Sequence, residues 1–212
     1  KIKANDLSPK LLFDYLDRYK IICAEREGPR GVIAMNQYVC RMLRQSISPH
    51  ASSFGVFKSP AGSESCFPGM ALMVLQNDYR LGRFNGDIGI VLSNHRQKPV
   101  VFFPDTQSPE QAVRLLNMPT FEPAFASTVH KAQGSEYDHV TLILPARSSP
   151  VLNRSLLYTA ISRAKLGLCI IAGESVLREA IAAKAQRHSG LRRRLSELAQ
   201  LPDDSARKII NR

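Results

Sequence analysis

No glycine-rich phosphate loop of the form GxxxxGK[ST] occurs anywhere in the chain, and no Asp-Glu pair closes a buried apolar strand. These residues therefore exclude a complete P-loop nucleotide site, with its backbone cradle for phosphates and its carboxylate for Mg²⁺. Tryptophan is absent, which leaves no obvious cluster for stacking on bases. No apolar run approaches the roughly 18 residues needed to span a bilayer, and no signal-peptide pattern opens the chain. The four cysteines, Cys23, Cys40, Cys66 and Cys169, lack CxxC spacing. Cys23 and Cys169 sit inside strand-like apolar runs and are expected to be buried, reduced thiols of a cytoplasmic protein, neither metal ligands nor disulfide partners. Acidic residues are scarce, 18 against 29 basic, for a net charge of +11. The opening, KIKANDLSPK, has no initiator Met and reads as the interior of a longer protein.

What is present is enough for a real core. A chain of 212 residues hides roughly 70% of its unfolded surface on folding. One domain with an insertion, or two small domains, are both compatible with that length. Hydrophobic content of 44% with 22% charged residues is ordinary for a globular protein. The basic excess favours polyanion partners, because lysines and arginines release condensed counterions from phosphates. A generic basic surface without a specific ligand is the alternative.

Hydrophobic spacing gives an α/β order interrupted once. Residues 7–19 place Leu11, Leu12, Tyr15, Leu16 and Tyr19 on one helical face. KIICAER (20–26) predicts a strand, GPRG (28–31) a turn, and 32–43 a helix, which together make a β–turn–α unit of a parallel sheet. From about residue 46 to 120 the chain turns rich in Ser, Pro and Gly. Short strands are predicted there at 70–77, 87–94 and 99–104, with turns at Asn77-Asp78 and Asn85-Gly86, as in a small barrel. The α/β pattern then resumes. Strands are predicted at 122–129, 139–145 and 166–173, and helices at 153–164 and 174–188. The charged end of the chain predicts a frayed helix or a tail.

Several strings carry chemistry. TVHKAQGSEYD (128–138) follows a strand and turns through Gly134, which sets short polar groups at a carboxyl strand edge where open α/β sheets bind ligands. Thr128 and His130 can donate to phosphate oxygens, and Lys131 adds charge. Gln133 and Glu136 have the reach for neighbouring elements or a ribose hydroxyl. The plainer reading makes Thr128 and His130 turn-capping residues. In YTAISRA (158–164), Thr159 and Ser162 form a small polar stripe with Arg163 beside it. A planar guanidinium there suits a phosphate across a cleft, and a surface ion pair is the alternative. Arg26 ends the first strand with Arg30 close behind, although Gly28 and Gly31 by themselves would shape a helix-entry turn. NDYRLGRFNGDIGIV (77–91) reads as a hairpin around Asn85-Gly86. Arg187, His188, Arg192, Arg193 and Arg194 form a basic run whose default reading is a solvated face, with a DNA or subunit contact as the alternative.

FASTVHKAQGSEY and LLYTAISRA, in this order, resemble motifs V and VI of superfamily 1 helicases. R-E-G-P-x-G-x-x-x-x-N (26–36) resembles motif IV of the RecD family. The FNGDIG string resembles the SH3-like barrel inserted in that 5′-to-3′ branch, read as structural first and DNA-facing second. The resemblance covers nearly the whole chain to about residue 190 and fits the C-terminal part of such a helicase, the alpha-subunit family of exodeoxyribonuclease V. It implies an α/β fold: a RecA-like (P-loop NTPase type) second motor domain with a parallel sheet, carrying an inserted small SH3-like β-barrel. Its segments would be 1–55 and 121–190 for the motor domain, 56–120 for the barrel and 191–212 for a basic tail or helix. It implies Arg163 as arginine finger and Gly134, Glu136, Arg26 and Arg30 near the nucleotide. Thr128, His130 and Lys131 would lie on DNA. ATP and Mg²⁺ would bind chiefly on a part that these residues lack, so the chain alone is expected to be inactive. Implied partners are single-stranded and end-unwound duplex DNA, and RecB and RecC, with the parent in the cytoplasm acting in recombinational repair. A stand-alone RecD-like or relaxase-type helicase, or a non-catalytic nucleic-acid-binding module, are the alternatives.

Overall fold

The computed structural model of the chain describes residues 9–47, 57–58, 65–94, 96 and 98–183. The basic run from Arg187 to Arg194 and the tail over 191–212 lie outside the described residues. Element order is α1 (Pro9–Arg18), β1 (Tyr19–Cys23), α2 (Val32–Ile47), β2 (Phe57–Lys58), β3 (Ser65–Cys66), β4 (Ala71–Val74), β5 (Ile88–Ser93), β6 (Pro99–Phe102), β7 (Val113–Arg114), β8 (Phe121–Pro123), β9 (Ala126–Thr128), β10 (Tyr137–Ile143), α3 (Arg154–Ile161), β11 (Ala164–Ile171) and α4 (Glu174–Ala182). Mixed α/β architecture with a parallel sheet is therefore the fold class.

The parallel sheet has the order β11-β10-β1-β9. Cys23 is level with Thr128 on one side and Ile143 on the other. Alternation along β1 and β10 divides their apolar residues between two faces. Ile22, Val140 and Leu142 face Leu156, Leu157, Ala160, Val176 and Ala180 of α3 and α4. Cys23, Ala126 and Ile143 face Val32 and Met35 of α2. Complete burial of a side chain such as Leu142 contributes roughly 1.5–3 kcal/mol, so the two-sided cover is what makes this short sheet stable.

A second, antiparallel sheet has the order β7-β6-β5-β4-β8, and its outer strands are not paired with each other. Its core contains Met70, Leu72, Val74, Val91, Val101 and Phe103, and Cys40 and Leu43 of α2 pack into or against it. One helix thus serves both sheets. Its first turns cover the parallel sheet and its later turns seal the antiparallel one. β2 and β3 pair as a separate short ribbon.

Three expectations are corrected. The single strand predicted at 122–129 is two strands. β8 pairs with β4 of the antiparallel sheet, whereas β9 pairs with β1 of the parallel sheet, with a break at Ala124-Phe125. Periodicity reads continuous extended chain and is blind to a change of sheet. The strand predicted at 20–26 stops at Cys23, because the carbonyls of Glu25 and Arg26 already accept from Val32 and Ile33 at the start of α2. A Cβ at Gly31 would run into those of Glu27 and Arg26, so the tight entry requires glycine. Cys169 is exposed, whereas Cys23, Cys40 and Cys66 are buried. It lies on β11, the edge strand, where only part of the apolar run is covered. Burial pushes the Cys23 thiol up to about 12.

The crossover between sheets is clasped by side chains. Asn36 of α2, 3% exposed, donates from Nδ2 to the carbonyls of Pro123 (2.7 Å) and Ala126 (3.1 Å). Its Oδ1 accepts from the Ala126 amide at 2.8 Å. Lys20 Nζ donates to the Ala124 carbonyl at 2.6 Å, and Ala124 N–H reaches Ala71 of β4 at 2.9 Å. Outside the sheet ladder, Arg26 forks onto Glu122 at 3.1 and 2.7 Å. Asn36→Leu should leave two carbonyls and one amide buried without these partners, and should lower unfolding stability by about 2–4 kcal/mol. Denaturant titration checks this, and a loss under about 0.5 kcal/mol would show that the crossover does not depend on the clasp.

Candidate nucleic-acid and nucleotide-facing site

After β9 the chain winds through residues 129–136 back to the start of β10. Thr128 Oγ1 accepts from the Lys131 amide at 3.3 Å, and the Thr128 carbonyl accepts from Ala132 at 3.1 Å. Thr128 therefore caps this turn. Val129 and Ala132 point into the core under α3, and His130 and Lys131 are thereby turned outward and exposed. Gly134 has φ +86° with open space where a Cβ would stand, so the reversal into β10 takes a conformation that favours glycine.

Arg163 follows the last turn of α3. Its Nε donates to the Thr159 carbonyl (3.2 Å), Nη2 to Ser162 Oγ (3.1 Å) and Nη1 to the Ser135 carbonyl (3.2 Å). The Arg163 carbonyl accepts from Tyr137 N–H at 2.8 Å. The two strings are thus tied together where β10 and β11 begin. Arg163 makes no ion pair among the described residues, so the surface ion pair weighed above is not formed there. Glu136 lies 3.9 Å from Lys165, both well exposed.

Not all the sequence candidates meet. Arg26 and Arg30 follow the carboxyl end of β1, at the level of Thr128 and Ile143, whereas Gly134, Glu136 and Arg163 lie at the amino ends of β10 and β11. β10 is 7 residues long, which separates its ends by about 20 Å. One small ligand cannot touch both groups directly. The fork onto Glu122 also raises the Arg26 pKa, through the hydrogen bond first and the carboxylate charge second.

Residues that sequence reasoning passed over lie at the seam between the sheets. A cavity of about 280 Å³ opens there, lined by Lys20, Ser127, Lys131 and Tyr137 from the α/β side and by Asn85 and Gly86 from the hairpin. A larger depression, about 430 Å³, borders the antiparallel sheet near Arg96, Glu110 and Arg114 and shares no residue with it. Lys20 was legible as the charged residue that opens the apolar run of β1. It is 8% exposed, and burial pushes its ammonium down to about 8, with Asp17 of α1 opposing the shift. Its Nζ lies 5.8 Å from the centre of the Tyr137 ring. Burial likewise raises the Tyr137 phenol, partly offset by its hydrogen bond with Ser135. Among the described residues, no group of three or more His, Cys, Asp or Glu side chains is placed to hold a metal ion.

A family model described as UvrD-like helicase C-terminal domain matches residues 123–171, which take in the β9 turn, α3 and β11. That assigns this portion of the chain to a class, the C-terminal domain of UvrD-like helicases. The RecBCD enzyme subunit RecD of Mycobacterium tuberculosis (strain CDC 1551 / Oshkosh) is 36% identical over 180 residues, covering 85% of this chain and 29% of that protein. The same subunit of Haemophilus influenzae is 38% identical over 179 residues, covering 84% of this chain and 25% of that protein. The ATP-dependent RecD2 DNA helicase of Deinococcus radiodurans is 30% identical over 146 residues, 69% of this chain and 19% of that protein. Among solved structures, Bacteroides Pif1 bound to single-stranded DNA aligns with a TM-score of 0.43 at 18% identity, over 83% of this chain and 50% of that one. The chain belongs to the RecD family and fits its C-terminal part, spanning under a third of the length of these relatives.

The depressed Lys20 pKa has a consequence for stability. Between about pH 8 and 10.5 the unfolded chain holds the Lys20 proton and the folded chain releases it, so stability rises with pH across that window. Below it the ammonium is charged in both states and the folded state bears the full desolvation cost. The gain approaches roughly 3 kcal/mol for the single group. The unfolding midpoint of the native chain relative to that of Lys20→Met should rise between pH 7.5 and 10. Parallel midpoints would show the ammonium to be solvated.

Proposed function

We propose that the chain is the C-terminal motor half of an ATP-dependent 5′-to-3′ DNA helicase, a RecD-like subunit of exodeoxyribonuclease V acting in double-strand break repair and recombination. The observation that carries this reading is the joining of the two helicase strings through Arg163 and the Ser135 carbonyl, in a chain 36% identical to a RecD over 85% of its length. In this reading residues 1–55 and 121–190 form one RecA-like motor domain, and the antiparallel sheet, with β4 to β7 within 56–120 and its last strand β8 just past that boundary, is the inserted SH3-like barrel. RecB and RecC are the partner subunits, and single-stranded and end-unwound duplex DNA the substrates. The parent works in the cytoplasm.

Nucleotide meets the amino ends of β10 and β11. A guanidinium held by three neutral oxygens and no carboxylate among the described residues suits a phosphate oxygen, and the open space at Gly134 admits close approach. Arg163 acts there as arginine finger with Glu136 at the border. ATP and Mg²⁺ are held chiefly by the part of the protein outside this chain, and ATP supplies the free energy of the cycle. Arg26 and Arg30 are retained as nucleotide-side candidates only for a longer-range role, given their place at the other end of the sheet. Thr128, His130 and Lys131 face the DNA backbone. Motion along the strand is then a cycle of cleft opening and closing.

In the full-length parent, Arg163→Ala should cut DNA-stimulated ATP turnover by roughly 10³-fold or more while nucleotide affinity changes only a few-fold. Parallel measurement of turnover and nucleotide binding tests this, and near-native turnover would remove the finger assignment.

The chain by itself should bind single-stranded DNA weakly, with affinity falling as salt rises and little dependence on base sequence. Thr128→Ala with His130→Ala should weaken binding to all sequences about equally. Fluorescence anisotropy with labelled oligonucleotides at several salt concentrations decides the matter. Unchanged binding by the double variant would assign it to the general basic surface instead.

A further inference from the structure

We propose that the seam between the two sheets is a subsite for one backbone phosphate of a single-stranded polynucleotide, held by the ammonium groups of Lys20 and Lys131 and the hydroxyl of Ser127. The inference rests on the reading that single-stranded DNA is the substrate and assigns it a place.

Charge is the first support. The cavity of about 280 Å³ is lined by two lysines and by no aspartate or glutamate. Neither lysine forms an ion pair among the described residues. Lys20 uses one hydrogen bond, to the Ala124 carbonyl, which leaves two N–H donors of its ammonium free to serve a ligand. Lys131 Nζ lies 3.9 Å from the Met73 sulfur, a weak acceptor. A buried ammonium is costly; Asp17 of α1 offsets part of the cost without forming an ion pair, and an oxyanion between the two lysines offsets more of it.

Independent of charge is the Ser127 hydroxyl. Ser127 is 6% exposed, lines the cavity, and its Oγ is buried with no hydrogen-bond partner. Leaving such a group unsatisfied costs about 1–3 kcal/mol. Rotation about the Cα–Cβ bond turns this hydroxyl toward a phosphate oxygen in the cavity, which accepts its hydrogen bond.

The hairpin indicates a polynucleotide as the source of the phosphate. Asn85 and Gly86 line the cavity, and the next residue back, Phe84, is 47% exposed. Its ring packs edge-to-face on Tyr79, itself 80% exposed, with centroids 6.0 Å apart. Single-strand sites combine a cationic groove for the backbone with exposed rings for the bases, and both stand here side by side. The absence of tryptophan hid this pair, since Tyr79 and Phe84 are brought together only by the Asp78–Arg83 bridge of the hairpin.

The test uses the chain with labelled oligothymidylate in anisotropy titrations across salt. Ser127→Ala removes a hydroxyl without protein partners, so its unfolding midpoint should be no lower than the native one while affinity falls about three- to tenfold. Lys20→Met should reduce the salt slope by about one, whereas Arg147→Gln, a charge-matched change on an exposed loop outside the cavity lining, should leave affinity within about twofold of native. Amide resonances of Ser127 and Lys20 should shift saturably with oligothymidylate and only weakly with inorganic phosphate. If Ser127→Ala binds like the native chain, the subsite is wrong and the DNA reading stands. A native chain that binds no single strand even at low salt overturns both. Saturation of the Ser127 shift by inorganic phosphate, with oligothymidylate inert there, gives the cavity to free phosphate and refutes the proposal.

Discussion

One short stretch of backbone, from Pro123 to Ala126, has to leave an antiparallel sheet and enter a parallel one. A chain that changes sheets loses its ladder partners on both sides, and its buried carbonyls and amides must be satisfied some other way. Asn36 supplies three of the needed bonds and Lys20 a fourth. Because β9 hangs from this clasp, the position of every residue on the turn after it follows. Thr128, His130 and Lys131 are where they are because α2 reaches across with an amide.

From the clasp, order propagates to the far end of the parallel sheet through the residue 129–136 turn. Val129 and Ala132 anchor the turn in the core, and Gly134 lets it reverse into β10. Arg163 then fastens the turn to the end of α3 through the Ser135 carbonyl. The same guanidinium is left with no carboxylate among the described residues. An arginine satisfied by neutral oxygens keeps its full charge available to an incoming anion, whereas one locked in a salt bridge such as Arg26–Glu122 has already spent much of it. The structure thus separates two arginines that look equivalent in sequence, one hydrogen-bonded to neutral oxygens with no ion pair among the described residues and one paired with Glu122.

The seam follows the same logic in reverse. Lys20 is needed at the crossover as a hydrogen-bond donor, and its burial there leaves an ammonium with little solvent and only the more distant charge of Asp17 to oppose it. Lys131 is turned toward the same space by the β9 turn, and Ser127 by strand alternation. Positive charge therefore collects between the sheets as a by-product of how the sheets are joined, at the edge of the surface that carries Thr128 and His130.

The order of α/β elements, the interruption near residues 46–120, the glycine turn at Gly86 with φ +102° and the two helicase strings were legible in the sequence, because each depends on local periodicity or on a short motif. Even Asn36 was visible, as the last residue of the R-E-G-P-x-G-x-x-x-x-N string, though not its role. The sequence could not announce that 122–129 divides between two sheets, that Cys169 lies exposed on an edge, or that Arg26 and Arg163 stand at opposite ends of the parallel sheet. Nor could it pair Lys20 with Ser127, or Tyr79 with Phe84. Those facts depend on which strands are neighbours and in what register, contacts between residues as much as 122 positions apart. Composition and local pattern determined what kind of chain this is. The long-range pairing of strands, set by where backbone groups and apolar faces are satisfied together, decided which of its charges are free to act.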